Sequence, residues 1–138
     1  MNIPRLLLTI LAGFVLVFAS DFLIHAIWLA PAYKATAELW RPEAEMQQRF
    51  AWMLTGQLLA AVAFAVIWAM GFAGRSLGTG ATFGLFMGIA QQVWAIALFV
   101  VSPLPGDIAA KWFLSGVLQA MLLGILVAAI YKPRPAQV

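Results

Sequence analysis

The sequence predicts an all-α integral membrane protein: a bundle of four transmembrane helices, built as two tandem duplicated hairpins in a single domain. Three observations predict it. Of the 138 residues, 64% are hydrophobic and 9% charged, with a mean hydropathy of +0.97. A water-soluble domain needs far more polar surface to cover its core. The apolar residues fall into four runs, each near the roughly twenty residues that cross a bilayer. Finally, two runs repeat one another. Trp52–Ala60 (WMLTGQLLA) lies over Trp112–Ala120 (WFLSGVLQA), with Trp, Leu, Thr/Ser, Gly, Leu and Ala in one register.

The first span is expected over residues 6–30. Arg5 precedes it, and Val17-Phe18-Ala19 has the spacing of a signal-peptidase site. The apolar run continues through FLIHAIWLA to membrane-spanning length, so it reads as a retained helix ended by Pro31. An extramembrane loop, residues 31–50, follows. Within it the second helix is expected to start ahead of the membrane, at RPEAEMQQRF. Pro42 suits the first helical position, Glu43 and Glu45 suit the positive N-terminal end, and Glu45–Arg49 is an i,i+4 pair. The second span is placed at 51–72. Gly-rich GRSLGTG leads to the third, 81–102, which Pro103 ends, and PLPGD turns the chain into the fourth, 108–131. Two spans return the chain to its starting side, so the hairpins are expected as parallel repeats about an axis along the membrane normal.

Three stripes of small residues allow close helix approach: Gly56-x-x-x-Ala60, Gly84-x-x-x-Gly88 and Gly116-x-x-x-Ala120-x-x-x-Gly124. They serve contacts within the chain, contacts in a homo-oligomer or contacts with a larger membrane complex; the stripes do not separate these. The eight Lys and Arg, giving a net charge of +3, are spread singly over ends and loops. They read as topology determinants in the bilayer, with no stripe for nucleic acid. Arg5, Arg75, Lys132 and Arg134 stand without acids on the side of the termini. Lys34, Arg41, Arg49 and Lys111 are diluted by Glu38, Glu43, Glu45 and Asp107 on the other. This favours cytoplasmic termini and an outward loop. Trp28, Tyr33, Trp52 and Trp112 are then expected in an outer aromatic belt, with Trp68 and Tyr131 at the inner interface.

No cysteine is present, which excludes disulfides, Fe–S clusters, thiolate metal sites and Cys nucleophiles. There is no Walker loop, Rossmann fingerprint, Ser elbow or zinc motif, and no catalytic residue is assigned. The chemistry concentrates in Ser20–Tyr33, SDFLIHAIWLAPAY. Leu7, Leu11, Phe14, Phe18, Asp21, His25 and Trp28 follow a 3-4-3-4 spacing that predicts an inward stripe. A charged carboxylate at a helix centre costs about 2.5–3.5 kcal/mol. Asp21 is therefore expected to be protonated or paired with His25, one turn away. Gln57, Gln91, Gln92 and Gln119 fall from mid-membrane outward, as orienting hydrogen-bond partners. Together these predict an outward-facing polar pocket that holds a small or lipidic ligand or relays a proton. The same residues also serve as interhelical hydrogen-bond glue in ordinary bundles. One His and one Asp cannot supply the three or four ligands of a metal site, and haem would need a dimer to bring two His together. In the loop, Lys34, Trp40, Arg41, Glu43 and Glu45 are candidates for capping the pocket or meeting a partner, with Trp28 and Tyr33 as interface anchors beside them.

The SDFLIH…PAYKATAELWRPEAEM stretch, with the Trp-x-Leu-x-Gly helices, resembles small bacterial four-span membrane proteins of unknown function. Asp21, His25, Tyr33, Trp40, Arg41 and Pro42 anchor the likeness. The resemblance implies architecture and a bacterial inner membrane, and brings no activity. A binding protein is thus the leading expectation. An accessory or assembly subunit of a membrane complex and a small homo-oligomeric transporter are the alternatives.

Overall fold

A computed structural model describes residues 1–133; Arg134, counted above among the basic residues at the termini, lies outside them. Helix α1, Ile3–Asp21, starts on Asn2, whose side chain accepts the Arg5 N–H, with Pro4 in the first turn where no N–H is needed. It continues as a π-helical segment, Phe22–Trp28. This wider winding ends where the Leu29 N–H reaches the Ile24 carbonyl, five residues back, at 2.8 Å. Short helix α2, Ala30–Ala35, a 3₁₀ turn, Ala37–Leu39, and short helix α3, Glu43–Gln48, make the loop. Three long helices follow: α4 Phe50–Gly71, α5 Leu77–Val101 and α6 Gly106–Ile130. Four helical stretches are long and apolar enough to cross a membrane, and no strand occurs among the described residues. The protein is an all-α four-helix bundle.

The start of α1 and the end of α6 lie at one end of the bundle. The Asn2 N–H donates to the Tyr131 hydroxyl at 3.2 Å, and the Asn2 amide donates to the Lys132 carbonyl at 3.2 Å. This terminal half is packed dry: Leu6, Val17, Phe64, Ala65, Trp68, Leu123, Val127 and Tyr131 form one buried cluster. Phe83 of α5 meets Phe64 and Trp68 of α4, and Phe72 just after it, at ring separations of 5.4, 5.6 and 5.2 Å. A second small core at the loop end, around Leu104, Ile108 and Ala109, seats Ala32, Tyr33, Trp40 and Trp112.

Glycine fixes the tightest pair, α5 on α6. A Cβ on Gly84 would stand 2.7 Å from the Met121 Cα and closer still to the Ala120 carbonyl oxygen. A Cβ on Gly80 would stand 2.7 Å from Ala128 Cβ. Only bare backbone permits this approach. Gly56 behaves otherwise: nothing lies within 4 Å of where its Cβ would be.

Several expectations are corrected. The buried face of α1 is Leu6, Thr9, Gly13 and Val17, whereas Leu7 and Leu11 are 62% and 61% exposed and Phe18 also faces out. In lipid, large aliphatic side chains lose nothing by facing outward, and the small Gly13 lets α1 close on Leu123 and Ala61. The first span ends at Trp28, just ahead of Pro31, which sits in the first turn of α2. The sequence LGTG belongs to α5, because Ser76 caps that helix through the Thr79 N–H. The RPEAEMQQRF stretch forms α3 as a separate turn of helix, broken from α4 at Arg49. Glu45 meets Arg49 as expected, at 3.5 Å, and Arg41 as well. Trp68 and Tyr131 are buried in the terminal core, not laid at an interface.

Candidate functional site

The loop half is built differently. Between the four long helices lies a cavity of about 600 Å³, lined by Asp21 at the end of α1 and His25 of the π-helical segment, by α4 through Gly56 and Gln57, and by α5 through Gln92. Residues Trp112, Ser115, Gly116 and Gln119 close it from α6; their spacing places them on one helical face. Small residues make the room. Gly56 and Ala60 line the cavity where bulkier side chains would fill it, and the Gln92 side chain lies in the place a Gly116 Cβ would take.

Asp21 is held from two helices at once. Gln57 of α4 donates its amide N–H to Oδ2 at 2.6 Å, and Gln119 of α6 donates to Oδ1 at 2.7 Å. The Gln119 amide also donates to the Ser20 hydroxyl at 2.7 Å, and Ser20 passes its own proton back to the Leu16 carbonyl at 2.6 Å. A carboxylate with four lone-pair sites retains acceptor capacity beyond these two bonds. Gln57 is 7% exposed, and its Oε1 has no partner among the described residues.

His25 belongs to a separate set. Its Nδ1 lies 2.6 Å from the Tyr33 hydroxyl, which also receives the Trp112 indole N–H at 2.7 Å. An indole can only donate, so the Tyr33 oxygen accepts from it; that oxygen has a second lone pair, so the His25–Tyr33 bond runs in the direction the imidazole tautomer sets. Tyr33 takes up Nδ1 in either tautomer, and Nε2 has no hydrogen-bond partner among the described residues. The ring stacks on Tyr33 (7° between planes), and Trp40, Trp112 and Trp94 extend the aromatic set. Burial pushes the Tyr33 hydroxyl above its usual value of 10.0; the Trp112 hydrogen bond opposes this and the Asp21 charge adds to it.

The direct Asp21–His25 pairing expected from the spacing is replaced by these two networks. The glutamines reach Asp21 from neighbouring helices, while Tyr33, carried by α2, takes the imidazole. Of the four glutamines, Gln57, Gln92 and Gln119 line the cavity; Gln91 is turned outward on α5, one residue and about 100° from Gln92. In the loop, Tyr33, Trp40 and Arg41 line a second cavity of about 640 Å³ with Lys34 and Glu43, and His25 and Trp112 form the wall it shares with the first. Trp28 is 54% exposed and lines neither. Trp112, assigned from the sequence to the lipid-facing belt, is a member of the site. The 112-115-116-119 spacing on one face of α6 was the available signal. Trp94 and Ser20 carried none. No group of three His, Cys, Asp or Glu able to hold a metal ion occurs among the described residues.

Comparisons with protein-family models, curated proteins and solved structures found no match to this chain. The chemistry of the site is read from its own geometry.

Proposed function

We propose that this chain is a small binding protein of a bacterial inner membrane, holding a small or lipidic ligand in the polar cavity around Asp21 and His25. The observation that carries this reading is the convergence of Asp21, His25, Gln57, Gln92 and Gln119 on one cavity of about 600 Å³. That is the size and makeup of a small-molecule site: mostly apolar walls and a few placed polar groups. Asp21 and His25 sit in separate hydrogen-bond sets, which favours holding a ligand over passing a proton between them. Gly84 and Gly124 are occupied by the α5–α6 contact, and Gly56 lines the cavity. The small-residue stripes therefore lend little to an accessory-subunit reading.

In this proposal both termini face the cytoplasm, where Arg5, Arg75 and Lys132 stand without acids, and the cavity opens toward the outer face. The hairpins α1–α4 and α5–α6 are duplicated copies. In support, the register-matched Gly56 and Gly116 line the same cavity.

Native mass spectrometry of the protein extracted with its lipids tests the reading. A bound mass in the wild type, lost in both Asp21→Asn and His25→Ala, is expected. An apo chain, or a bound mass retained in both variants, would refute it. A chain that is recovered only with a protein partner would favour the accessory role.

A further inference from the structure

A third cavity, about 560 Å³, lies between α1 and α4 and is walled by Phe18, Phe22, Ala26, Phe50 and Met53. It shares Asp21, His25 and Gln57 with the polar cavity. The Phe and Met residues are exposed and apolar, so in a bilayer this groove is open to hydrocarbon. Any lipid chain can lie in such a groove. A carboxylate and an imidazole at its base are what set this one apart, since polar groups at membrane depth are costly where nothing uses them.

The charges of the lining select the head. Neither cavity includes a Lys or Arg; Lys34 and Arg41 line the loop cavity instead. A phosphate or carboxylate head would meet Asp21 with no cation beside it, in surroundings of low dielectric where repulsion is strong. Around the head, one group accepts and one donates. Asp21 has lone pairs left after Gln57 and Gln119, and with Nδ1 bonded to Tyr33 the open ring nitrogen of His25 is Nε2, which carries the proton when the Tyr33 hydroxyl donates to Nδ1. A hydroxyl answers both, donating to the carboxylate and accepting from the imidazole.

Building on the binding function proposed above, we infer that the occupant is an uncharged amphiphile. Its apolar chain lies between α1 and α4, and a hydroxyl-type head sits between Asp21 and His25. The test uses the full chain in lipid nanodiscs with a photoreactive hexadecanol carrying a diazirine on its chain, and maps the labelled peptides. Labelling is expected in residues 18–26 and 50–57. Unlabelled hexadecanol should displace it, and hexadecanoate should do so about tenfold less well, as for the loss of one hydrogen bond to a charged group. D21N should weaken the alcohol by a similar factor. A26K, on the open wall of the groove, should bring hexadecanoate up to the alcohol without disturbing Asp21. Displacement of equal strength by hexadecanoate or by hexadecyltrimethylammonium in the wild type would overturn the uncharged head and leave the site standing. Labelling that does not saturate, and is the same in D21N and H25A, would remove the binding site itself.

Discussion

The two halves of this bundle use the same helices for opposite ends. Toward the termini, α4, α5 and α6 meet through glycine backbones and a dry aromatic cluster of Phe64, Trp68, Phe72 and Phe83. Toward the loop, the same helices enclose a polar cavity. Glycine shows the difference most plainly: Gly84 brings two backbones together, while Gly56 leaves a space unfilled. A small residue in a membrane helix therefore has no meaning until its neighbour is known. Stability should reside in the terminal half and ligand chemistry in the loop half.

Gly84→Val should break the terminal half outright. Its side chain would press on the Ala120 carbonyl and Met121 Cα, and because backbone cannot give way the cost should reach about 3 kcal/mol, the top of the overpacking range. Thermal unfolding in detergent would show the loss. Trp68→Ala should come next, at about 3 kcal/mol. In lipid the cavity left behind matters more than transfer of the ring. Trp68→Phe should cost far less, since the indole N–H has no partner among the described residues. Equal losses in both Trp68 variants would mean the ring is not packed as described.

Tyr33→Phe probes the boundary between the two halves and the loop. It removes the group that receives Trp112 and orients His25, for about 1–2 kcal/mol from two hydrogen bonds. Its pH signature is more telling. The folded state holds the Tyr33 proton to higher pH than the unfolded state does, so between those two values the folded state binds more protons. Stability is then unaffected by this group below about pH 10 and falls as pH rises through the tyrosine range. The decline should be shallower in Tyr33→Phe; an identical decline would show that Tyr33 is not buried. Gly56→Ala should have the smallest effect on folding, within about 1 kcal/mol and in the stabilising direction from helix propensity. It should weaken ligand retention by narrowing the cavity. A large loss of stability would mean that Gly56 is a packing contact after all.

The spans were legible within about four residues because hydropathy reports directly on what crosses lipid. Helix rotation was not. A heptad reading turned Leu7, Leu11 and Phe18 inward, by the logic of proteins in water. In a bilayer both faces of α1 are apolar, and Gly13 and Thr9 chose the buried side. The same uncertainty decided between Gln91 and Gln92, adjacent in sequence and on different faces. Asp21, His25, Gln57 and Gln119 were all recognisable as candidates. Their bonding was not, because it depends on how α4 and α6 are set against α1 and on the π-helical turn after Asp21. Tyr33 was visible only as a loop aromatic, since nothing local announces that α2 carries it back to His25 and Trp112.

The absence of cysteine permits the most direct test of the division between halves, by single-cysteine accessibility in sealed vesicles. Ser115→Cys and Gly56→Cys, on the cavity wall, should react with a water-soluble maleimide from the loop side. Thr9→Cys and Ala65→Cys, in the terminal core, should stay unreactive until the protein unfolds. Reaction at the terminal pair, or none at the cavity pair in the folded protein, would contradict a dry half beneath an open one.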